Sequence, residues 1–267
     1  MGSGRRAFVT LAGVTAAYLA FRAFGHVEAV FDSDWAEAGE GLSKILLWVV
    51  PAVLLLVFTR AANGLGGALD ALGLGAEAPE GYRFGLVASL PMLAILPFGA
   101  PFRFDAAALV GSVLLGPFAE EILFRGYLLR QLHLRAGWSA SAAIATSGLA
   151  FGLAHLANVD LSAQNALALS VVEVAMTTGG GLLFGWIVVR WGSLWPAIGL
   201  HTFMNLTWEV FGVDHWAAHA QSGATAVGPD AANIARLLTV TMAVILTLRK
   251  SRAAAQLGSW TTGQLDN

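Results

Sequence analysis

The apolar residues of the chain come in long blocks rather than at alternating or helically spaced positions. A bilayer core of about 30 Å is crossed by about 20 apolar residues in a helix. By this measure the sequence predicts an all-α, polytopic membrane helix bundle. Its eight predicted transmembrane helices are Ala7–Phe24, Leu42–Thr59, Phe84–Ala100, Ala106–Leu129, Trp138–Ala157, Asn165–Val189, Ser193–Phe211 and Ala231–Leu248.

The spans divide the chain into three parts. Residues 1–104 hold the first three spans, 105–212 hold spans four to seven, and 213–267 hold an outer loop, the last span and a tail. The first block lacks a convincing small-residue cleavage site and is soon followed by further spans, so we interpret it as a span and not a signal peptide. The Gly-rich stretch Asn63–Gly81 predicts a loop with a short interfacial helix.

Composition supports a membrane protein and excludes several other classes. Of the 267 residues, 57% are hydrophobic and 12% are charged, whereas soluble domains carry about 25% charged residues. The net charge of −2 and the lack of a basic stripe exclude a nucleic-acid partner. The chain has no Cys, which excludes disulfides and zinc–thiolate sites.

The positions of Lys and Arg predict the orientation in the cell membrane, because cytoplasmic loops carry an excess of both. With a cytoplasmic N-terminus and eight spans, the C-terminus is cytoplasmic too. Four basic residues then fall near the outer face: Arg22, Lys44, Arg103 and Arg236. Ten fall on the cytoplasmic side: Arg5, Arg6, Arg60, Arg83, Arg130, Arg135, Arg190, Arg249, Lys250 and Arg252.

The fourth span contains two adjacent carboxylates and an arginine among leucines. Glu121 and Arg125 are i,i+4 neighbours and can pair on one helix face. Glu120 points about 100° away, towards a different partner. Pro117 removes one backbone bond and predicts a kink just upstream. An ion pair that only holds the span in the bundle explains Glu121 and Arg125, but it leaves Glu120 unexplained.

Two further spans supply polar residues. The fifth carries His155 after a small-residue surface, Gly148 and Gly152, that lets another helix approach closely. The seventh carries His201 and Asn205 on one face. Alone, His155 would more often be a core or interfacial histidine, and Asn205 would more often bond a neighbouring span. The coincidence of these residues on three spans favours a chemical function.

Glu, His, His and Asn together suit hydrolysis of a peptide-like bond. A carboxylate beside an imidazole can deprotonate water, while a second imidazole and an amide can stabilise an oxyanion. The same Glu and His side chains could instead hold a metal ion that activates the water. Counted at 1.5 Å per residue from the cytoplasmic ends, Glu120 and His201 lie about 12–15 Å deep but His155 about 25 Å, which fits a common site poorly.

The pattern Glu-Glu-x-x-x-Arg, Phe-x-x-x-His and His-x-x-x-Asn resembles the CPBP family, which groups CAAX prenyl-endopeptidases of the Rce1 type with bacterial proteases and bacteriocin-immunity relatives. The three motifs are Glu120–Arg125, Phe151–His155 and His201–Asn205, and the resemblance covers Gly111 to Leu206. It implies an intramembrane protease that lies in the lipid bilayer and cuts a membrane-associated peptide or protein.

The resemblance also implies a role for each motif residue. Glu120 and His155 activate the water, and His201 and Asn205 stabilise the oxyanion. Zinc held by Glu120, His155 and His201 stays open. We slightly favour a metal-free mechanism because an amide such as Asn205 is a poor zinc ligand. The sequence has no His-Glu-x-x-His, so a zincin-type site is excluded.

Several alternatives stay open. The same fold could serve as a non-enzymatic immunity factor or scaffold, and polar residues at the membrane midplane also occur in transporters. Glu173 could line the cavity or be a buried, protonated structural residue. Glu209 is expected to reach water at the outer face. His215 and His219 have the spacing of a metal-binding pair but lie in an outer loop.

Overall fold

A computed structural model describes residues 66–67, 69–75, 78–93, 109–158, 165–211 and 229–251. Within these ranges all regular secondary structure is helical, which confirms the predicted all-α class. The predicted spans Ala7–Phe24 and Leu42–Thr59, and the end of the third span, lie outside the described residues. The number of eight spans, their orientation and the three-part division stay predictions.

Six helical elements can be followed along the chain. Helix α1 is Ala78–Ser89, and α2 covers 109–135 in four segments, Leu109–Leu115, Gly116–Glu121, Ile122–Leu129 and Gln131–Arg135. Helix α3 is Ala140–Ala154 with a 3₁₀ turn at His155–Asn158, α4 is Ala166–Trp191, α5 is Trp195–Phe211 and α6 is Pro229–Ser251. The predicted spans four to eight correspond to α2 to α6, with ends that agree within about two helical turns.

The third predicted span corresponds to α1, which begins earlier than predicted. The Gly-rich stretch Asn63–Gly81 predicted a loop with a short interfacial helix; residues 66–67 and 69–72 are helical, and α1 begins within the stretch at Ala78. Gly81 and Gly85 are buried because they pack directly on the backbone of α5, where a side chain at Gly85 would collide with Gly199. These glycines therefore serve close helix packing and not a turn.

Local signals in the sequence explain where α3 and α4 begin and end. The Ser139 hydroxyl accepts a hydrogen bond of 3.2 Å from the Ala142 amide and caps the start of α3. Gly192 ends α4 in the left-handed conformation, with φ +70°, a region that favours glycine. Since α5 begins at Trp195, α4 and α5 form a tight antiparallel hairpin.

Helices α3 and α4 approach each other through glycines, as the small-residue surface predicted. A Cβ atom at Gly181 would lie 2.8 Å from the Gly148 Cα atom and 3.2 Å from Arg125 Nη2. One turn further, a side chain at Gly152 would collide with Thr178. The close approach places α3 and α4 directly against the arginine of α2.

We expect Gly181→Ala to lower the free energy of unfolding by about 1–3 kcal/mol, because the added methyl group has no room against Gly148. Gly179→Ala on the same helix is the matched control, since no described atom lies within 4 Å of the position of its Cβ. Alanine is the better helix former, so the control keeps or gains stability. Thermal unfolding of both variants in detergent measures the difference, and equal losses would contradict the close packing.

The segment before α1 joins the end of α2 to the α4–α5 turn. Its residues Leu72 and Leu74 are buried, and the Gly73 carbonyl accepts a hydrogen bond of 2.9 Å from the Leu194 amide. The Trp195 indole N–H donates to the Leu74 carbonyl at 3.3 Å. We call the range 69–75 the sealing segment, because it closes the end of the bundle where α4 turns into α5.

Among the described helices, α4 is long and apolar enough to cross a bilayer, and α3 is apolar but shorter. Large apolar side chains are exposed on their outer faces, for example Leu167 and Val171 on α4 and Leu149 and Leu153 on α3. Such faces suit contact with lipid, in agreement with the predicted membrane location.

Candidate active site

The ion pair predicted within the fourth span is present at the centre of α2. Arg125 Nη1 donates to Glu121 Oε1 at 3.0 Å, and both side chains are fully buried. Glu121 closes the α-helical segment that contains Pro117 near its start, and Arg125 lies in the next segment, which has the wider π-helical hydrogen bonding. The i,i+4 spacing alone therefore predicted this pair correctly.

His201 of α5 brings the two carboxylates into one site. Its Nδ1 atom lies 3.0 Å from Glu121 Oε1, and its Nε2 atom lies 3.7 Å from Glu120 Oε2. Because Arg125 donates to the same Glu121 oxygen, this carboxylate holds both a guanidinium and an imidazole. Glu121 thus contacts both Arg125 and His201, and its pairing with Arg125 did not predict the second contact.

The contact with Glu121 determines which ring nitrogen of neutral His201 carries the proton. An ionised carboxylate only accepts hydrogen bonds, so Nδ1 of His201 is the donor. In the neutral ring Nε2 is then an acceptor, and in the imidazolium form it is a donor. Glu120 lies on this Nε2 side. In the imidazolium form, Nε2 can donate a hydrogen bond to Glu120 or to an oxyanion.

Aromatic rings enclose the charged groups. The Arg125 guanidinium lies 4.3 Å from the Phe151 ring centroid and 5.3 Å from that of Phe184, and such contacts stabilise a desolvated cation. His201 is stacked on Phe184 at 4.9 Å. The Ser147 hydroxyl donates to the Phe124 carbonyl at 2.8 Å and ties α3 to α2. The polar cluster therefore lies in apolar surroundings, where electrostatic interactions are strong.

His155 lies at the end of α3, where the helix passes into the 3₁₀ turn. Its Nδ1 atom is 2.8 Å from the Phe151 carbonyl oxygen, so Nδ1 donates and Nε2 becomes the acceptor of the neutral ring. The Phe151 ring contacts both histidines, at 4.4 Å from His155 and 6.1 Å from His201 between ring centroids. His155 is half-buried and is thus linked to the cluster through Phe151.

Asn205 lies one helical turn beyond His201 on α5 and is half-buried. The i,i+4 spacing puts both side chains on one face of the helix. That His201 and Asn205 act on the same group stays a prediction.

The described residues do not converge as a metal site. In this part of the chain no three His, Asp or Glu side chains form a group that could hold a metal ion. The Nδ1 atoms of His155 and His201 are engaged by the Phe151 carbonyl and by Glu121. Histidines that bind zinc through Nε2 commonly hold their Nδ1–H in this way, so these two contacts leave open whether Glu120, His155 and His201 hold zinc.

The remaining predicted residues lie away from this cluster. Glu173 is buried on α4, the side chain of Glu209 lies outside the described residues, and so does the loop with His215 and His219. The sequence analysis missed Phe184, which stacks on His201. The one signal in the sequence that could have identified Phe184 is its position 11 residues after Glu173, which places both residues on the same face of α4.

Comparison with known proteins adds one finding. Residues 102–207 match the family model described as type II CAAX prenyl endopeptidase Rce1-like. The matched region contains all three motifs and confirms the resemblance inferred from them. Neither the comparison with curated proteins nor that with solved structures gives a match.

Proposed function

Because residues 102–207 match the Rce1-like endopeptidase family, we propose that the chain is an intramembrane endopeptidase that cuts a membrane-associated peptide or protein. The family is one of membrane-embedded proteases. The observation that carries the proposal for this chain is the buried cluster in which His201 lies between the carboxylates of Glu120 and Glu121. An ion pair that only stabilised the bundle would need neither the second carboxylate nor the histidine.

Glu120 is the proposed general base. Glu120 is 6% exposed, and its Oε2 atom lies 3.7 Å from His201 Nε2. It takes a proton from water, whose oxygen attacks the carbonyl carbon of the scissile bond. His155 assists by accepting a hydrogen bond from the same water through its Nε2 atom. When the C–N bond breaks, Glu120 returns the proton to the leaving amine nitrogen.

His201 and Asn205 are the proposed oxyanion donors. The negative charge that develops on the carbonyl oxygen needs N–H donors in place before the reaction. His201 supplies Nε2–H when its ring is in the imidazolium form, and Asn205 supplies its amide N–H. Glu121 and Arg125 act on the reaction through His201, because they fix the orientation of its ring.

We expect activity to survive removal of metal ions, because Asn205 is an amide and a poor zinc ligand, and it has a task as an oxyanion donor only in the metal-free mechanism. The measurement is turnover of purified enzyme in liposomes before and after treatment with a strong chelator, with metal content determined in parallel. Stoichiometric zinc, with activity that is lost on chelation and regained on zinc addition, would overturn the metal-free mechanism.

A comparison of protein termini in cells tests the function before any substrate has been identified. Cells that lack the chain are complemented with the wild type or with Glu120→Gln, and new N-termini in the membrane fraction are identified by mass spectrometry. An endopeptidase produces termini that only the wild type restores. If both forms restore the same termini and the same phenotype, the chain acts as an immunity factor or scaffold of this fold.

A further inference from the structure

Helix α4 carries a polar face that continues beyond the catalytic cluster. Glu173, Thr177, Gly180 and Phe184 follow one another at i, i+4, i+7 and i+11, which puts them on one side of the helix. Phe184 is the residue that stacks on His201. The face that contacts the cluster therefore leads, turn by turn, towards Glu173.

The described residues leave space open next to this face. No described atom lies within 4 Å of the position of a Cβ at Gly180, whereas the neighbouring Gly181 packs tightly on Gly148. Helices α4 and α5 form an antiparallel hairpin, and Phe184 of α4 is level with His201 of α5. One helical turn further from the hairpin loop, Gly180 of α4 is therefore level with Asn205 of α5. Open space thus begins level with the proposed oxyanion donors on this face of α4, and we call the face from Phe184 to Glu173 the groove.

The carboxylate of Glu173 lies at the far end of this groove. The residue is only 7% exposed, and its Oε1 atom has no hydrogen-bond partner among the residues that the structure describes. The Thr177 hydroxyl donates to the main-chain carbonyl of Glu173 at 2.6 Å and does not reach the carboxylate. A buried carboxylate oxygen without a partner is costly, and an ionisable residue within a membrane segment is a candidate functional site.

We propose that Glu173 binds a basic side chain, Lys or Arg, of the substrate peptide that lies in this groove. The inference rests on the proposed endopeptidase function and adds a substrate class to it. A cation is the partner that compensates a buried carboxylate most fully, because a charge-assisted hydrogen bond in a low dielectric is stronger than a neutral one. The site itself lacks such a cation among the described residues.

The distance along α4 gives the position of the basic residue in the substrate. At 1.5 Å per residue, Glu173 lies about 16 Å beyond the level of Phe184 and His201. An extended peptide covers about 3.4 Å per residue, and a long basic side chain covers part of the distance itself. The basic residue therefore lies about three to five residues from the scissile bond.

The test uses the full chain in liposomes and farnesylated peptides that end in a CAAX sequence. Lys or its neutral isostere norleucine is placed at each position in turn. We expect wild type to prefer Lys at one position by about 10- to 100-fold in kcat/KM, the factor that a hydrogen bond to a charged group supplies. Glu173→Gln loses this preference but still cleaves the norleucine peptide, and Glu173→Lys prefers Glu at the same position.

Glu80→Gln is the matched control, since it removes an equal charge from an exposed position on α1 and leaves the preference intact. Binding of the same peptides to the Glu120→Gln variant, followed by fluorescence anisotropy, gives the preference without cleavage. Peptides that wild type cleaves or binds without any Glu173-dependent preference for Lys would overturn this inference alone. Failure of wild type to cleave or bind any of them would count against the proposed function itself.

A second variant tests the groove independently of charge. Gly180→Leu places a side chain in the open space and, since Leu is the better helix former, leaves the melting temperature unchanged or higher. We expect it to raise KM about tenfold or more for Lys and norleucine peptides alike. An unchanged KM would show that the substrate does not lie along this face.

Discussion

Glu120→Gln is expected to lower peptide-bond cleavage by about 10²- to 10⁴-fold, the usual contribution of a general base. The amide keeps the size and shape of the side chain but cannot take a proton from water. Arg125 Nη1 pairs with Glu121 Oε1 at 3.0 Å, so the guanidinium keeps this partner when the charge of Glu120 is removed. The expected result is therefore an inactive protein that is still folded.

Two measurements separate this outcome from a loss of structure. Turnover of a peptide that wild type cleaves gives the rate, and thermal unfolding in the same detergent gives the stability. Glu80→Gln, an exposed change of the same kind, serves as the control for both. A Glu120→Gln enzyme with near-normal turnover would remove this residue from the mechanism and leave His155 or His201 as the base.

Arg125→Ala is expected to destabilise the protein by about 3–5 kcal/mol and to abolish activity. The substitution removes the guanidinium that pairs with the fully buried Glu121. Removal of one partner of a buried ion pair typically lowers the free energy of unfolding by about 3–5 kcal/mol. The change also removes the guanidinium from between Phe151 and Phe184 and opens a cavity at the centre of the bundle. Glu121 then no longer holds the His201 ring in one orientation.

The melting temperature in detergent measures this effect against two other variants. Arg190→Ala removes an arginine from an exposed position at the end of α4 and has little effect. Asn205→Ala lowers turnover by about 10²–10³, as for the loss of one oxyanion donor, and changes the melting temperature little. Equal melting temperatures for wild type and Arg125→Ala would contradict the structural role of the pair.

The features that the sequence predicted correctly depend on neighbours along one helix. The apolar blocks predicted α2 to α6, because hydrophobic length is a local property. The pair between Glu121 and Arg125 followed from the i,i+4 spacing. The glycines of α3 predicted a close helix contact, although only the structure showed that Gly181 of α4 lies opposite.

Contacts between distant parts of the chain could not be predicted in this way. The hydrogen bond from His201 to Glu121 joins two helices, and no local pattern specifies which faces meet. The depth estimate separated His155 from the other motif residues because it assumed straight spans with known ends. In the structure α3 begins at Ala140, after the predicted start, and the Phe151 ring bridges His155 and His201.

The sealing segment has a consequence for the order in which the protein is assembled. Its Gly73 carbonyl bonds the Leu194 amide, and at about 5–20 residues per second the ribosome takes roughly 6–24 s to deliver that partner. During this interval the side chains of Leu72 and Leu74 have no cover from Leu194. Nascent chains that stop before the α4–α5 turn therefore leave Leu72 and Leu74 exposed at this end of the bundle, where a chaperone or a quality-control protease can recognise them. Chains that continue past the turn bury these side chains without help.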